Sequence, residues 1–441
     1  MRIGTRKDIL QISKTAQPDI IKSREIRAVK TRYRVIEKDR PDSNVVEILH
    51  DGMWKDNPCY IIGGGESVKK YDLSKLRNSL VIGINRAFEF IDPAIIFSMD
   101  GRFWSWIEKG EFGEETRERF ISYKHGLKVW LNTGGMFYPA DILRVRCSGN
   151  RVWSYSLEDG IGSGGNSGFA ALNLAWLLGA RPIYLLGYDM KGDGSRQKWF
   201  HDGYPIVQPE SVYHKFKSSF EKYIPKEVCK DVINCNLESN LNIFERRMID
   251  MEEEPLMPLF VSFYTKGTGY ENEAKKLIAS LRAFGIRHEV DEIDSRGSWI
   301  NNVRYKVDFI LNKLITHKRD IVWVDADAII NRRPVLLRNL KNLSAHFRLR
   351  KDGTKELLTG TLFVPYTEQA IEIMKAWKET TETMPDTWEQ KTLQGVYDAC
   401  AGNGFDILPK SYCHIFDSGG DVSESHIVHY QASRQYKRVI T

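Results

Sequence analysis

The sequence predicts an α/β protein with two α/β units in tandem behind a basic leader, and three observations carry that expectation. Short apolar runs alternate with longer stretches of helical period along residues 56–247 and again along 257–441. Between the two series lies "MIDMEEEPLMP" (248–258), an acidic cluster followed by prolines, which has the composition of a domain boundary. The 441 residues are 42% hydrophobic and 28% charged, which suits a soluble globular chain long enough for more than one core.

In the first unit "CYIIGGG" (59–65) reads as a strand entering a glycine turn, followed by strands in "SLVIGIN" (79–85), "AIIFSMD" (94–100), "LKVWLN" (127–132) and "PIYLLGYDM" (182–190). "SGFAALNLAWLLGA" (167–180) is apolar nearly all round, as a helix packed against a sheet must be. Strands apolar on both faces point to an open, largely parallel sheet. The second unit repeats the pattern with strands in "LFVSFYT" (259–265), "RHEVDEI" (287–293), "DIVWVDADAII" (320–330), "ELLTGTLFVP" (356–365) and "HIVHY" (426–430). Its helices are expected over 272–285, 304–317, 367–380 and 387–399.

Composition excludes several classes. No apolar run approaches the roughly 18–20 residues of a membrane span, and "MRIGTRKDIL" lacks the apolar core of a signal peptide, so no membrane partner and a cytoplasmic location are expected. The six cysteines are scattered without a C-x-x-C pair, against a zinc site or a disulfide framework. Net charge is +6, and Lys22 to Arg40 holds eight lysines and arginines against three acids. That leader, assigned to residues 1–55, can follow a phosphate backbone such as DNA or an acidic partner, a solvated helix face or flexible leader being the blander reading.

The chemistry concentrates in "WVDADAII" (323–330). Alternation at the end of a strand sets Asp325 and Asp327 on one side with Ala326 between them. Two adjacent carboxylates repel unless something positive sits there, and hard divalent cations prefer oxygen ligands, so the pair reads as a metal site at the carboxyl edge of a sheet. The other reading is an acidic turn neutralised by Arg332 or Arg333. Ser262, Tyr264 and Thr265 end the first strand of this unit, where a nucleotide base can lie against the ring. His429 ends the last strand and offers a third metal ligand; Arg434, Lys437 and Arg438 follow with charge for phosphate oxygens, or as a solvated tail.

"IVWVDADAII", preceded by "RYKVDFIL" and followed by "LLTGTLFV" and a W-E-Q helix start, resembles the GT-A fold nucleotide-diphospho-sugar glycosyltransferases over essentially all of 257–441. The resemblance implies that Asp325, Asp327 and His429 hold Mn²⁺ or Mg²⁺ and the diphosphate of a nucleotide-sugar, with a UDP-sugar expected. It further implies that Lys306 neutralises phosphate and that Thr359, Gly360 and Thr361 line the donor-sugar or acceptor channel. Glu389 stands where such enzymes place an acid near the reacting sugar carbon, as base or sugar-orienting group, although many carry Asp-Gln where this chain has Glu389-Gln390.

In the first unit "IIGGGESV" (61–68) has the strand, glycine turn and helix start that present N–H groups to an anion, or a plain tight turn. With "GINRAFEF" (83–90), "FSMDGRFW" (97–104), "NSGFAALNLAWLLGA" (166–180), "YLLGYDM" (184–190) and "KWFHDGYP" (198–205) it resembles the MptE-like domains of bacteriophage proteins, distantly similar to bacterial sialyltransferases. That resemblance implies two Rossmann-like units in tandem and a nucleotide-like ligand near Gly64, Gly65, Ser67, Asn85, Asp100, Asn166, Ser167, Gly168 and Asp189. His201 or His214 is the implied base, with a polar loop histidine as the competing reading of His201. The expected activity is metal-dependent hexosyl or pentosyl transfer to a hydroxyl, a 5-hydroxymethylpyrimidine of phage DNA being the first acceptor. A two-step bifunctional transferase acting on glycan or protein, and a nucleic-acid or virion-binding protein with relic domains, are the alternatives.

Overall fold

A computed structural model describes residues 44–132, 138–350 and 352–436. Nine strands, β1 (Cys59–Ile62), β2 (Leu80–Ile84), β3 (Ile95–Ser98), β4 (Leu127–Asn132), β5 (Ile142–Gly149), β6 (Ile161–Gly162), β7 (Ile183–Leu186), β8 (Val232–Asn234) and β9 (Glu245–Arg246), form one sheet. Its order is β6-β5-β4-β3-β2-β1-β7-β8-β9 and every neighbouring pair is parallel. The helix Ser167–Leu177 packs on it, capped by Asn166, whose Oδ1 accepts from the Phe169 N–H at 2.8 Å. Burial of Asn173 inside that helix is offset by hydrogen bonds from the Ser154 and Gly162 amides to its Oδ1. β5 and β8 were not foreseen, β5 because its arginines break the apolar run.

Residues 44–55, given to the leader by charge, belong to this core: Val45, Leu49, Met53 and Trp54 are at most 1% exposed. Asn44 bonds both backbone groups of Arg144, extending the packed region to the first described residue. The basic stretch Lys22–Arg40 lies outside the described residues.

The second half holds β10 (Leu259–Thr265), β11 (His288–Ile293), β12 (Ile321–Val324), β13 (Ala328–Ile330), β14 (Leu343–Leu349), β15 (Lys355–Val364), β16 (Phe405–Ile407), β17 (His414–Ile415) and β18 (Ile427–His429). A mixed sheet runs β11-β10-β12-β15-β14-β16, and a small one runs β13-β18-β17. The expected strand over 320–330 is therefore two strands in different sheets, broken at Asp325–Asp327. The expected helix at 304 begins earlier, at Trp299, because Ser298 caps it by accepting from the Asn301 N–H at 3.2 Å.

The halves share a packed seam. Trp54 Nε1 donates to the Ala283 carbonyl at 3.1 Å, and the core residues around Val45 and Phe97 are continuous with Leu277, Leu281 and Phe284. Glu254 takes Arg333 at 3.1 Å and also Arg338, and both arginines donate to the Asn78 carbonyl. Among the described residues no helix is long and apolar enough to cross a membrane.

Candidate functional site

The acid pair sits in a turn, not on one face of a strand. β12 ends at Val324, the Ala328 N–H closes the turn on the Asp325 carbonyl at 2.9 Å, and the Asp325 N–H is held by the Gly360 carbonyl at 2.9 Å. β13 then pairs with β18 so that Ala328 opposes His429, and this register delivers the histidine to the acids. One ligand atom from each of Asp325, Asp327 and His429 lies within 4.8 Å of the others.

The three residues fit a divalent cation on the chemistry of the unfilled side. His429 Nε2 is bonded to Thr361 Oγ1 at 2.8 Å, while its Nδ1 is buried with no hydrogen-bond partner among the described residues. Burial, against the pull of the Asp325 carboxylate, pushes His429 down to about 4, so the ring is neutral, as a ligand must be. Burial first, and then the charge on Asp325, raises Asp327 well above the usual carboxylate range. The Ala432 N–H at 2.7 Å satisfies one Asp327 oxygen. Gly360 backs the ring: a Cβ there would stand 3.1 Å from His429 Cε1. The arginines of the alternative reading pair elsewhere, Arg332 with Glu424 at 2.7 Å and Arg333 with Glu254.

Lys306 is the local counter-ion. It is 5% exposed, and its Nζ lies 2.9 Å from Asp325 and 2.8 Å from Glu389. Burial disfavours the ammonium, but the two carboxylates outweigh it and hold Lys306 above its usual range. Thr359 Oγ1 donates to the same Glu389 oxygen at 3.0 Å, and Trp323 Nε1 donates to Asp325 at 3.0 Å. Lys306 thus ties the first acid of the pair to Glu389 through one buried charge.

These groups open onto a cavity of about 560 Å³ lined by Tyr264, Thr265, Lys306, Asp325, Asp327, Thr359, Glu389 and Arg434. Trp299 and Trp388 also line it, and Arg348, Glu356 and Gln431 join them unforeseen. Arg348 and Glu356 are an ion pair at 2.5 Å across neighbouring strands, a signal legible only once the β14–β15 register is known. Ser262 does not line the cavity: it is fully buried within β10. Gly360 lies behind the cavity, against His429. Arg434 is paired with Asp417 at 2.5 Å, and Lys437 and Arg438 lie outside the described residues.

A second cavity, of about 680 Å³, opens where β1 and β7 end side by side and the strand order reverses, the place where ligands enter open parallel sheets. Gly64, Gly65, Asn85, Asp100, Asn166, Ser167, Gly168 and Asp189 line it. A Cβ on Gly65 would stand 2.6 Å from Asp189 Cγ, so only glycine fits there. Asn85 adopts a left-handed φ of 51° and its buried Oδ1 has no partner among the described residues. Asp189 is committed to the Ser67 N–H and hydroxyl and to Asn236, so these two named residues brace the glycine turn.

His201 stands behind Gly64 and outside the cavity lining; its Nδ1 accepts from the Gly203 N–H at 3.0 Å. Burial, then Arg86 and Lys69, push it down to about 3, which makes the ring a weak proton acceptor. His214 is exposed and does not line the cavity either.

No family model matches this chain, and no curated protein does. Among solved structures it is similar to a glycosyltransferase involved in the glycosylation of the major capsid of PBCV-1, at 16% identity and a TM-score of 0.36, over 42% of this chain and 98% of that one. It is also similar to the glycosyltransferase GlyE of Streptococcus pneumoniae TIGR4, at 14% identity over 40% of this chain and 54% of that one, with TM-scores of 0.29 for the apo form and 0.30 for a second structure. The match spans about half the length of GlyE.

Proposed function

We propose that the protein is a divalent-cation-dependent glycosyltransferase whose second-half cavity receives a nucleotide-sugar, with a UDP-sugar as the donor. The observation that carries this reading is the convergence of Asp325, Asp327 and the partnerless Nδ1 of His429 beside a cavity that also presents Lys306 and Glu389. Asp325, Asp327 and His429 would hold Mn²⁺ or Mg²⁺, which supplies Lewis-acid charge for the departure of a nucleoside diphosphate. Tyr264 and Thr265 offer a ring and backbone to the base at the carboxyl end of β10. Lys306 adds fixed positive charge at the diphosphate end. Glu389, held by Lys306 and Thr359, has the rigid placement needed to orient the donor sugar or to take the proton of an acceptor hydroxyl.

The acceptor we propose is the hydroxyl of a 5-hydroxymethylpyrimidine in DNA, on the strength of the basic stretch Lys22–Arg40. A second reading, two active sites acting in succession, is favoured by the glycine-lined cavity at the β1/β7 switch with its partnerless Asn85 Oδ1. One experiment addresses both. Nucleotide release from a panel of nucleotide-sugars is measured with Mn²⁺, Mg²⁺ or EDTA, with and without hydroxymethylated DNA. Release from one donor, abolished by EDTA and by Asp325→Asn, is expected; release unaffected by either would refute the site assignment. Activity that survives Asp325→Asn and is lost in Asn166→Ala would place turnover in the first half.

A further inference from the structure

At the opposite pole of β10 lies a third cavity, of about 520 Å³, with a different character. Leu259 opens β10 there, whereas Tyr264 and Thr265 at its other end face the donor cavity. Four residue steps of strand, about 13 Å, separate Leu259 from Phe263, the β10 residue nearest it that lines the donor cavity. This cavity straddles the seam: Lys124 and His125 come from the chain entering β4, and Arg282, Arg287 and Arg319 come from the second half. Its lining holds one carboxylate, Glu289, which Lys313 at 2.6 Å and His317 at 3.1 Å already occupy.

The cations are short of partners. Neither Lys124, Arg282 nor Arg287 forms an ion pair among the described residues, and Nε of both Arg282 and Arg319 is buried without a hydrogen-bond partner. Asp141 attracts Arg282 without reaching ion-pair distance and is itself paired with Lys128 at 2.6 Å. Burial, and then the like charge of Arg287, lower Arg319 below its usual range, so the cluster stands at an electrostatic cost. Arg282 and Arg319 each bury an unpartnered Nε beside the cavity, Arg319 also donating to the Met257 carbonyl at 2.8 Å, while Lys124 and Arg287 stand exposed at its rim; unpaired cations gathered in this way around a cavity of ligand size have the makings of an anion site.

We propose that this cavity binds a compact phosphate-bearing anion, clamped across the seam by Arg282, Arg287, Arg319 and Lys124. Phosphate chemistry suits the set because guanidinium forks match its oxygens and several charges are met at once. The geometry of the clamp is fixed by the packed seam beside it, where Gly285 approaches both Ala94 and His125: a Cβ on Gly285 would stand 3.2–3.3 Å from each. The site is independent of the donor cavity and of the metal ligands.

The test titrates the full chain in EDTA with tripolyphosphate by calorimetry, and with a short single-stranded oligonucleotide by fluorescence anisotropy. Saturable binding of either probe is expected, weakened about tenfold or more in Arg282→Gln and in Arg287→Gln. Arg287 is exposed, so its variant keeps the test open if the Arg282 variant fails to fold. Tighter binding of tripolyphosphate assigns the phosphate to a small ligand, and tighter binding of the oligonucleotide assigns it to a nucleic-acid strand. Absence of saturation with both probes, or binding unchanged in Arg287→Gln and in whichever Arg282 variant folds, overturns the proposal.

Discussion

Asp327→Asn separates a cation clamp from an acid that serves structure. Asp325 and Asp327 place oxygens within 4.8 Å of each other, and at an effective dielectric of about 20 two full charges at that distance repel by about 3 kcal/mol. Asp325 keeps 37% of its side-chain surface in solvent and has Lys306 at 2.9 Å, so about 1–2 kcal/mol of repulsion survives. Asparagine preserves the acceptor for the Ala432 N–H and removes the charge. Without metal, the variant should therefore be more stable than the parent, by about 1–2 °C in melting temperature for a chain of this length. Asp327 is raised in the folded state, so its cost is absent in acid and grows as pH rises through its folded range; the variant's advantage should be larger at pH 8 than at pH 5. With Mn²⁺ added, the parent should gain stability by mass action and the variant should not. The assay is thermal melting in EDTA and across a Mn²⁺ series. A variant that melts lower than the parent in EDTA yet keeps the full Mn²⁺ response would refute the clamp.

Two further outcomes probe the supports of the site and of the seam. Gly360→Ala sets a Cβ about 3.1 Å from the His429 ring, tighter than ordinary contact, so the ring must shift; metal affinity measured by Mn²⁺ titration should fall about tenfold or more while the fold persists. Unchanged affinity would show that His429 is not a ligand. Glu254 is held below the usual carboxylate range because Arg333 and Arg338 outweigh its burial, so its stabilisation is complete above the ordinary carboxylate range and lost as pH falls through the folded value. Glu254→Gln should then cost about 2–3 kcal/mol at pH 7 in denaturant unfolding, with the deficit shrinking below about pH 4. A deficit independent of pH would show that shape, not charge, is what the position supplies.

Much of the architecture could be read from local pattern. Strands apolar on both faces, such as Leu80–Ile84, imply a covered parallel sheet, and their positions follow from the runs themselves. The residue types of the candidate metal site could be picked out from the sequence, because paired acids after an apolar strand and a late histidine are a chemical signature wherever they fall. Their arrangement was not. Alternation wrongly kept Asp325 and Asp327 on one strand, since the break into β13 depends on pairing with β18, about a hundred residues on. Local pattern likewise could not reveal that Ser262 is fully buried, that Lys306 is shared by Asp325 and Glu389, or that Ser67 and Asp189 brace each other. The partner-poor cations at the seam belong to the same class: Lys124 and Arg319 line one cavity although they are distant in sequence. Short-range patterning determines which segments become strands and helices, because burial period is a local property. Which charges meet is set by register and packing between segments distant in sequence, and only the tertiary structure decides that.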